Sequence, residues 1–410
     1  VSYLWPSGSA TYGPADVHIF NEDGTELEGW PNQITVNSES SPVIGDIDGD
    51  FEMEIVVGSG RNSNLDIPGR IYAWNLDGSI CTGFPIEVGN SVESTPSLVD
   101  IDLNGFVDIL IRVSMISTGI NGVYAFNGQG QILAGFPAFI PRGGTQGAPA
   151  VADMDGDGLP EIAIGTALAV DSGMVYVYNH DGSLRSGFPI LVNATWVEES
   201  VALGDVSGDG LPDVIATTNG LSGDPGKVWA FDHQGNVVTG FPLITEDVVG
   251  SSLESTPTIY DIDGDGDNEI FTANWNNTVY CWDSPGIPTP GNDWPTFKFD
   301  AQRTGNNSLV FTGISRSSGK NPRDFNLITN YPNPFNPVTR IVFTLQKRQK
   351  ITLSIYNILG ESVETLIDSE IYPAGEKSVL FDGSEFSSGL YIYELQTENG
   401  RRLGKMVLMK

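Results

Sequence analysis

Carboxylates at alternate positions of a short loop are the chemistry of a hard divalent cation, and this chain repeats such a loop five times. The copies read DIDGDFEME from Asp46, DIDLNGFVD from Asp100, DMDGDGLPE from Asp153, DVSGDGLPD from Asp205 and DIDGDGDNE from Asp261. A cation of calcium size takes six to eight oxygens, and a loop supplies them from positions 1, 3, 5, 7 and 9 because the side chains between point away. Those positions hold Asp46, Asp48, Asp50, Glu52 and Glu54 in the first loop and Asp100, Asp102, Asn104, Phe106 and Asp108 in the second. The third has Asp153, Asp155, Asp157, Leu159 and Glu161, with Gly158 allowing the sharp turn. The fourth has Asp205, Ser207, Asp209, Leu211 and Asp213, and the fifth Asp261, Asp263, Asp265, Asp267 and Glu269. Position 7 serves through its main-chain carbonyl. Five loops in register predict about five calcium ions; magnesium keeps its waters and suits a crowded all-protein cage poorly. Asn104 and Ser207 replace carboxylates, and Phe51 stands where the first loop would want glycine. The third and fifth loops are therefore expected to bind tightest and the fourth weakest.

The overall charge agrees with a cation partner. The formal net charge is −32, and residues 325–410 hold nine basic and nine acidic residues, so the whole excess lies in residues 1–324. A phosphate backbone or an anionic membrane would be repelled by such a surface. Cys81 and Cys281 form no CxxC pair, so neither a zinc site nor a disulfide scaffold is indicated. No run of 18 or more apolar residues occurs, which excludes a membrane-spanning helix.

The loops recur with a period near 53 residues, and a second marker keeps phase with them. It reads IYAWNLDGSICTGFP (71–85), VYAFNGQGQILAGFP (123–137), VYVYNHDGSLRSGFP (175–189) and VWAFDHQGNVVTGFP (228–242), with weaker copies at 17–31 and from Val279. Each unit reads as four short strands, for example Pro42 to Asp46, Glu54 to Gly58, Arg70 to Asn75 and Ser79 to Ile86. Asp-Gly and Gln-Gly pairs supply the positive φ of a tight hairpin. A four-stranded unit repeated around an axis is the signature of a β-propeller blade, whereas a stacked solenoid would have shorter turns. Six blades are visible and the first, residues 1–36, is incomplete. Either Ser308 to Ser315 completes it, or sequence upstream of Val1 brings the count to seven or more.

Groups suited to catalysis have simpler explanations. His18 occupies the slot of Tyr72, Tyr124, Tyr176, Trp229 and Tyr280, and His180 and His233 share one turn position. Cys281 replaces Ala73, Ala125 and Ala230, which predicts a small core residue. The aromatics of these strands read as blade packing. A catalytic carboxylate pair would stand in an irregular insertion: Arg61 to Ile67, Val113 to Asn121, Thr195 to Glu199 or Asp247 to Glu254. Trp196, Glu198 and Glu199 are the best of these candidates.

After Gly305 the composition turns polar and rich in Ser, Gly and Asn, which reads as a linker over 306–324. Beyond it, Thr339 to Leu345, Ile351 to Tyr356, Ser378 to Phe381, Gly389 to Leu395 and Leu403 to Met409 alternate apolar and polar residues. Short alternating strands over 325–410 predict a small Ig-like antiparallel sandwich. The fold class is all-β throughout.

The acidic loops and their flanking strands resemble the FG-GAP or VCBS repeats of extracellular β-propellers, including the calcium-bearing blades of integrin α chains, over residues 1–305. WPTFKFDAQRTGNN (294–307) resembles a tail that follows such repeats. The resemblance implies structural calcium that pins blade edges, with partners meeting the loops on one face. NYPNPFNPVTRIVFTL (330–345), ITLSIYNILGESV (351–363), GLYIYEL (389–395) and the terminal KMVLMK resemble the type A sorting domain of type IX secretion cargo. That resemblance implies passage across the inner membrane with a signal peptide, then export through the type IX machinery to the surface or the medium. The expected function is a secreted calcium-binding binding or adhesion module with an unidentified protein or glycan ligand. The alternatives are a polysaccharide lyase or hydrolase, and a structural surface or filament protein.

Overall fold

The structure is a computed structural model. It describes residues 13–21, 23–36, 39–50, 52–61, 66–113, 121–141, 147–169, 172–192, 197, 199–218, 225–245, 253, 255–274, 277–289, 292–299, 305, 325–331, 335–345, 348–357, 362–373, 375–397, 400–408 and 410. The chain divides into two compact units, Val1–Ser315 and Arg316–Lys410.

The first unit is a succession of small antiparallel sheets. The first pairs β1 (Ala15–Val17) with β2 (Asn32–Ile34). Four sheets of four strands follow in simple chain order. They are β3 (Val43–Gly45), β4 (Glu54–Gly58), β5 (Arg70–Asn75) and β6 (Ile86–Glu87); then β7 (Ser97–Val99), β8 (Asp108–Val113), β9 (Gly122–Phe126) and β10 (Ala138–Phe139). Next come β11 (Ala150–Ala152), β12 (Glu161–Ala169), β13 (Ser172–Asn179) and β14 (Ile190–Val192), and then β15 (Ala202–Gly204), β16 (Asp213–Thr218), β17 (Lys227–Phe231) and β18 (Leu243–Ile244). The sixth sheet has β19 (Thr258–Tyr260), β20 (Glu269–Ala273) and β21 (Val279–Asp283). Among the described residues no strand pairing joins the first sheet to the last, so the ring is not closed by shared strands.

The second strands β4, β8, β12 and β16 are apolar on both faces because a neighbouring sheet covers each face. Ile55 and Val57 pack back on Val17, Trp30 and Ile34 of the first sheet, whereas Val56 packs forward with Ile109 and Ile111. Leu110 then shares a cluster with Ile162, Ile164 and Val214, and Ile215 shares one with Ile259 and Ile270. Alternation with period 2 is thus retained, but both phases are core, which is why the strands read as continuous apolar runs.

The expected fourth strand Ser79 to Ile86 is broken in the structure. Ile80 makes a single bridge to Trp74, the chain turns at Gly83 with φ +91°, and pairing resumes only at Ile86. A neighbouring contact causes the break: a Cβ on Gly83 would lie 2.1 Å from the Gln129 carbonyl of the next sheet's hairpin. Gly29, Gly135 and Gly187 repeat this joint against Asp77, Asp181 and Gln234. Cys281 is also corrected: it is exposed, not core. Val279 beside it is 72% exposed, because among the described residues no further sheet covers β21.

Residues 292–299 and Gly305 do more than end the propeller. The first strands of successive sheets neighbour one another, β3 with β7, β11 with β15 and β15 with β19. Trp294, 1% exposed, bridges Leu203 of β15, and the Pro295 carbonyl accepts from Ile259 of β19 at 2.8 Å. The Gly305 carbonyl accepts from Leu98 of β7 at 2.7 Å, and Lys298 Nζ donates to the Pro42 carbonyl, just before β3, at 2.7 Å. Asn292 exchanges two 2.8 Å hydrogen bonds with the main chain of Asp153, just after β11. One segment therefore touches the innermost edge of every sheet after the first.

The second unit is a sandwich of two sheets. One orders β22 (Phe325–Tyr331), β23 (Val338–Leu345) and β26 (Gly375–Asp382); the other orders β25 (Ser362–Tyr372), β24 (Gln349–Asn357), β27 (Gly389–Thr397) and β28 (Gly400–Leu408). Phe335, Phe343, Phe381, Leu353, Tyr393 and Met406 are among its core. β22 and β25 are additional to the strands expected from alternation. β25 is an edge strand with mostly exposed residues and register shifts against β24, so its sequence lacks a clean apolar face.

Candidate metal centres

Each acidic loop joins the first strand of a sheet to the second, and its position 9 residue opens the second strand. Glu54, Asp108, Glu161, Asp213 and Glu269 are all buried there. One carboxylate oxygen of each accepts the N–H of position 2, from Ile47, Ile101, Met154, Val206 and Ile262 at 2.7–3.1 Å. Position 1 folds the turn: Asp46, Asp153, Asp205 and Asp261 accept the N–H of the glycine at position 4, and Asp100 accepts from Asn104 and Gly105. Position 5 accepts the N–H of position 7, for example Glu52 to Asp50, Phe106 to Asn104 and Leu159 to Asp157, each at 2.8 Å. The repeated aspartates thus shape the loop before any cation is considered.

The loops nevertheless differ in how their carboxylates are satisfied. In the first, oxygens of Asp46, Asp48 and Asp50 lie within 4.8 Å of one another, and in the second those of Asp100, Asp102 and Asp108 do. In both, the second oxygen of the position 9 carboxylate is buried without a hydrogen-bond partner: Glu54 Oε1 and Asp108 Oδ1. Burial first, and neighbouring carboxylates after it, push Glu54 up to about 7 and Asp108 up to about 8. A buried orphan acceptor of this kind costs about 1–3 kcal/mol until a proton or cation reaches it. The first loop also borders a cleft of about 290 Å³ lined by Asp48, Gly49, Asp50, Thr82, Gly128 and Gln129.

In the third loop Asp153, Asp155 and Glu161 converge in the same way, but Arg185 stands among them. Burial pushes Glu161 up to about 8 against the pull of the Met154 N–H and the arginine; Asp155 is held below the usual range because Arg185 outweighs its burial. In the fourth loop, main-chain donors fill the need. Asp205 accepts from Ser207, Gly208, Gly210 and Ile287, and Asp213 Oδ2 accepts from both Val206 and Ser207. Among the described residues no three-carboxylate group forms there. Burial still pushes Asp213 up to about 7. The fifth loop forms two overlapping groups, Asp261 with Asp263 and Asp265, and Asp265 with Asp267 and Glu269. A bond between Asp265 and Asp267 pushes Asp267 up and Asp265 down.

Sequence reasoning placed these carboxylates but missed Arg185 and Asn292. Arg185 was detectable as the one charged residue in a column otherwise holding Leu27, Cys81, Leu133 and Val238. Asn292 lies outside the repeats and carries no such signal. His18, one of the candidates for catalysis, stacks on Phe20 and bonds Glu26 at 2.6 Å. Cys81 is buried, and that burial pushes its thiol up to about 12. The aromatic columns stack within their sheets, as Tyr72 on Trp74 and Tyr176 on Tyr178. Phe51, Trp196, Glu198, Ser308 to Ser315, the linker 306–324 and most of the four insertions lie outside the described residues.

Residues 100–164 match the FG-GAP-like repeat family and residues 199–231 the FG-GAP repeat family. Residues 329–409 match the secretion system C-terminal sorting domain. The chain carries FG-GAP repeats followed by a type IX sorting domain. The sorting domain marks it for export to the cell surface or the extracellular space, and among the described residues no helix is long and apolar enough to cross a membrane. FG-GAP repeats also account for the propeller-like succession of sheets. No match is found among curated proteins. Among solved structures, the V. cholerae biofilm matrix protein Bap1 aligns at TM-score 0.42 and 15% identity, over 91% of this chain and 67% of that one. An exo-beta-1,3-galactanase from Phanerochaete chrysosporium aligns at TM-score 0.33 and 10% identity, over 96% of this chain and 100% of that one. Scores this low inform neither ligand nor chemistry.

Proposed function

We propose that this FG-GAP chain is an exported calcium-binding β-propeller that acts outside the cell as a binding or adhesion module. The observation that carries calcium is the pair of buried, unpartnered oxygens, Glu54 Oε1 and Asp108 Oδ1, each within an acidic loop. A hard cation satisfies such oxygens and offsets the mutual repulsion of the carboxylates around them. Asp46, Asp48, Asp50 and Glu54 would hold it in the first loop, Asp100, Asp102, Asn104 and Asp108 in the second, and Asp261, Asp263, Asp265 and Glu269 in the fifth. Carbonyls of Glu52, Phe106 and Asp267 would complete these shells, and that of Leu211 would serve a weaker site beside Asp209. Calcium supplies no reaction here; it ties the first strand of a sheet to its second and stiffens the loop face.

Binding is supported by the hydrogen bonds that residues 292–299 and Gly305 make along the first strands of the sheets, the side from which the axial pocket of a propeller would open. His18 is stacked on Phe20, and His180 and His233 lie in turns. The test is a glycan and protein array probed with the intact chain, calcium-loaded and chelated. Calcium-dependent capture of a defined ligand is the expected result, and reproducible polysaccharide turnover would overturn the reading. Residues 325–410 are read as the export unit that engages the type IX machinery. Their deletion in a host with that system should leave the propeller in the periplasm, and normal arrival at the surface would refute the assignment.

A further inference from the structure

The column two residues before each Gly-Phe-Pro or Gly-Trp-Pro turn holds Leu27, Cys81, Leu133, Arg185 and Val238. Four of these N–H groups donate to the third strand of their own sheet, Cys81 to Ala73, Leu133 to Ala125, Arg185 to Val177 and Val238 to Ala230, at 2.9–3.0 Å, and Leu27 makes the matching bond to Ile19, just after β1, at 2.8 Å. In the sheet of β11 to β14 this side chain reaches the acidic loop of its own sheet. Four of the five carry no charge. Arg185 does, and its side chain is only 12% exposed.

The guanidinium reaches two ligand positions of the third loop together. Nη2 lies 2.7 Å from Asp155 Oδ2, at position 3, and Nη1 lies 3.0 Å from Glu161 Oε1, at position 9. Nε donates to the His233 carbonyl in the hairpin of the next sheet at 3.0 Å, and Nη1 reaches Asn179 Oδ1 at 3.4 Å. The position 9 oxygen that Arg185 satisfies in this loop corresponds to the one left without a partner in the first and second, where Cys81 and Leu133 stand instead. A planar fork of fixed charge suits two carboxylates at once, and it repels a second cation brought into the same cage.

We propose that Arg185 is a built-in cation that takes the place of calcium in the third loop, so this loop neither needs nor retains an ion. The inference rests on the calcium reading of the other loops and divides the seams into two kinds. Those after the first and second loops depend on calcium, whereas the seam crossed by Arg185 to His233 is held without it.

The experiment counts calcium per intact chain by elemental analysis after equilibrium dialysis, for the wild type and for Asp102→Asn, Asp155→Asn and Arg185→Leu. Asp102→Asn should lose one ion and Asp155→Asn none, whereas Arg185→Leu, which imports the residue of the second sheet, should gain one. Loss of an ion in Asp155→Asn, or no gain in a folded Arg185→Leu, would overturn the proposal. Should Arg185→Leu fail to fold, the contrast between Asp102→Asn and Asp155→Asn decides alone. A wild type without calcium would reject the broader reading, and a gain of one ion in Arg185→Leu would still support the role of the arginine.

Discussion

The glycine joint and the acidic loop dock on the same hairpin of the next sheet, yet they hold it in opposite ways. At the hairpin around Gly128 and Gln129, Gly83 packs against the Gln129 carbonyl, while the Ile47 carbonyl of the acidic loop lies where a Cβ on Gly128 would be, 1.7 Å away. The joint works by removing atoms: backbone meets backbone and no side chain is left to satisfy. The loop works by crowding charge, leaving Glu54 Oε1 buried without a partner. A seam can therefore be closed by sterics alone, but a loop of this composition needs a counter-charge from outside, from an arginine, or from main-chain donors as in the fourth loop.

The largest expected effect separates the two devices. Chelation should destabilise the loops and leave the joints untouched; if the first, second and fifth sites are each about 100-fold saturated, the loss is roughly 8 kcal/mol. A melting temperature unmoved by chelator would show that the loops do not rely on metal. Next in size, Gly135→Ala should cost about 3 kcal/mol in calcium-loaded protein. The residue sits at φ +87° and its new Cβ would lie 1.9 Å from the Asp181 carbonyl. Denaturant midpoints with and without calcium check that this loss is independent of the metal.

A smaller effect follows from protonation. In chelated protein Glu54 and Asp213 titrate near 7 and Asp108 and Glu161 near 8, all above their unfolded range near 4. The folded chain then binds more protons than the unfolded one between those limits. Its stability is full below about pH 4 and declines as pH rises through 7 to 8. Melting at pH 5.5 and 8.5 should show the decline after chelation and a weaker one with calcium present. The smallest effect is Gly240→Ala, at about 1 kcal/mol. Its φ of +96° carries the same backbone strain, but no described atom lies within 4 Å of the new Cβ. Equal losses at Gly135 and Gly240 would mean that strain, and not the joint, explains the geometry repeated at these turns.

The period of the loops, the hairpin glycines and the charge contrast across the linker were legible by residue type. So were the second and third strands of each sheet, because both phases of their alternation are apolar. The fourth strand was read too long, since Ser79 to Ile86 alternates acceptably and nothing local announces that Gly83 must yield to Gln129. Cys281 was misplaced for a related reason: its column is core in earlier sheets only where a further sheet covers it.

Local spacing by itself determined which carboxylates share a loop, because positions 1, 3, 5 and 9 are set by a few backbone angles within nine residues. What satisfies those carboxylates was decided only by tertiary structure. Arg185 comes from 30 residues away in sequence to reach Asp155, and Asn292 from 139 residues away to clamp Asp153. Burial of Glu54 and Asp108 likewise depends on the sheets packed around them. A counter-charge acts through distance in space and through the water excluded around it, and neither quantity is a property of the segment that carries the acids.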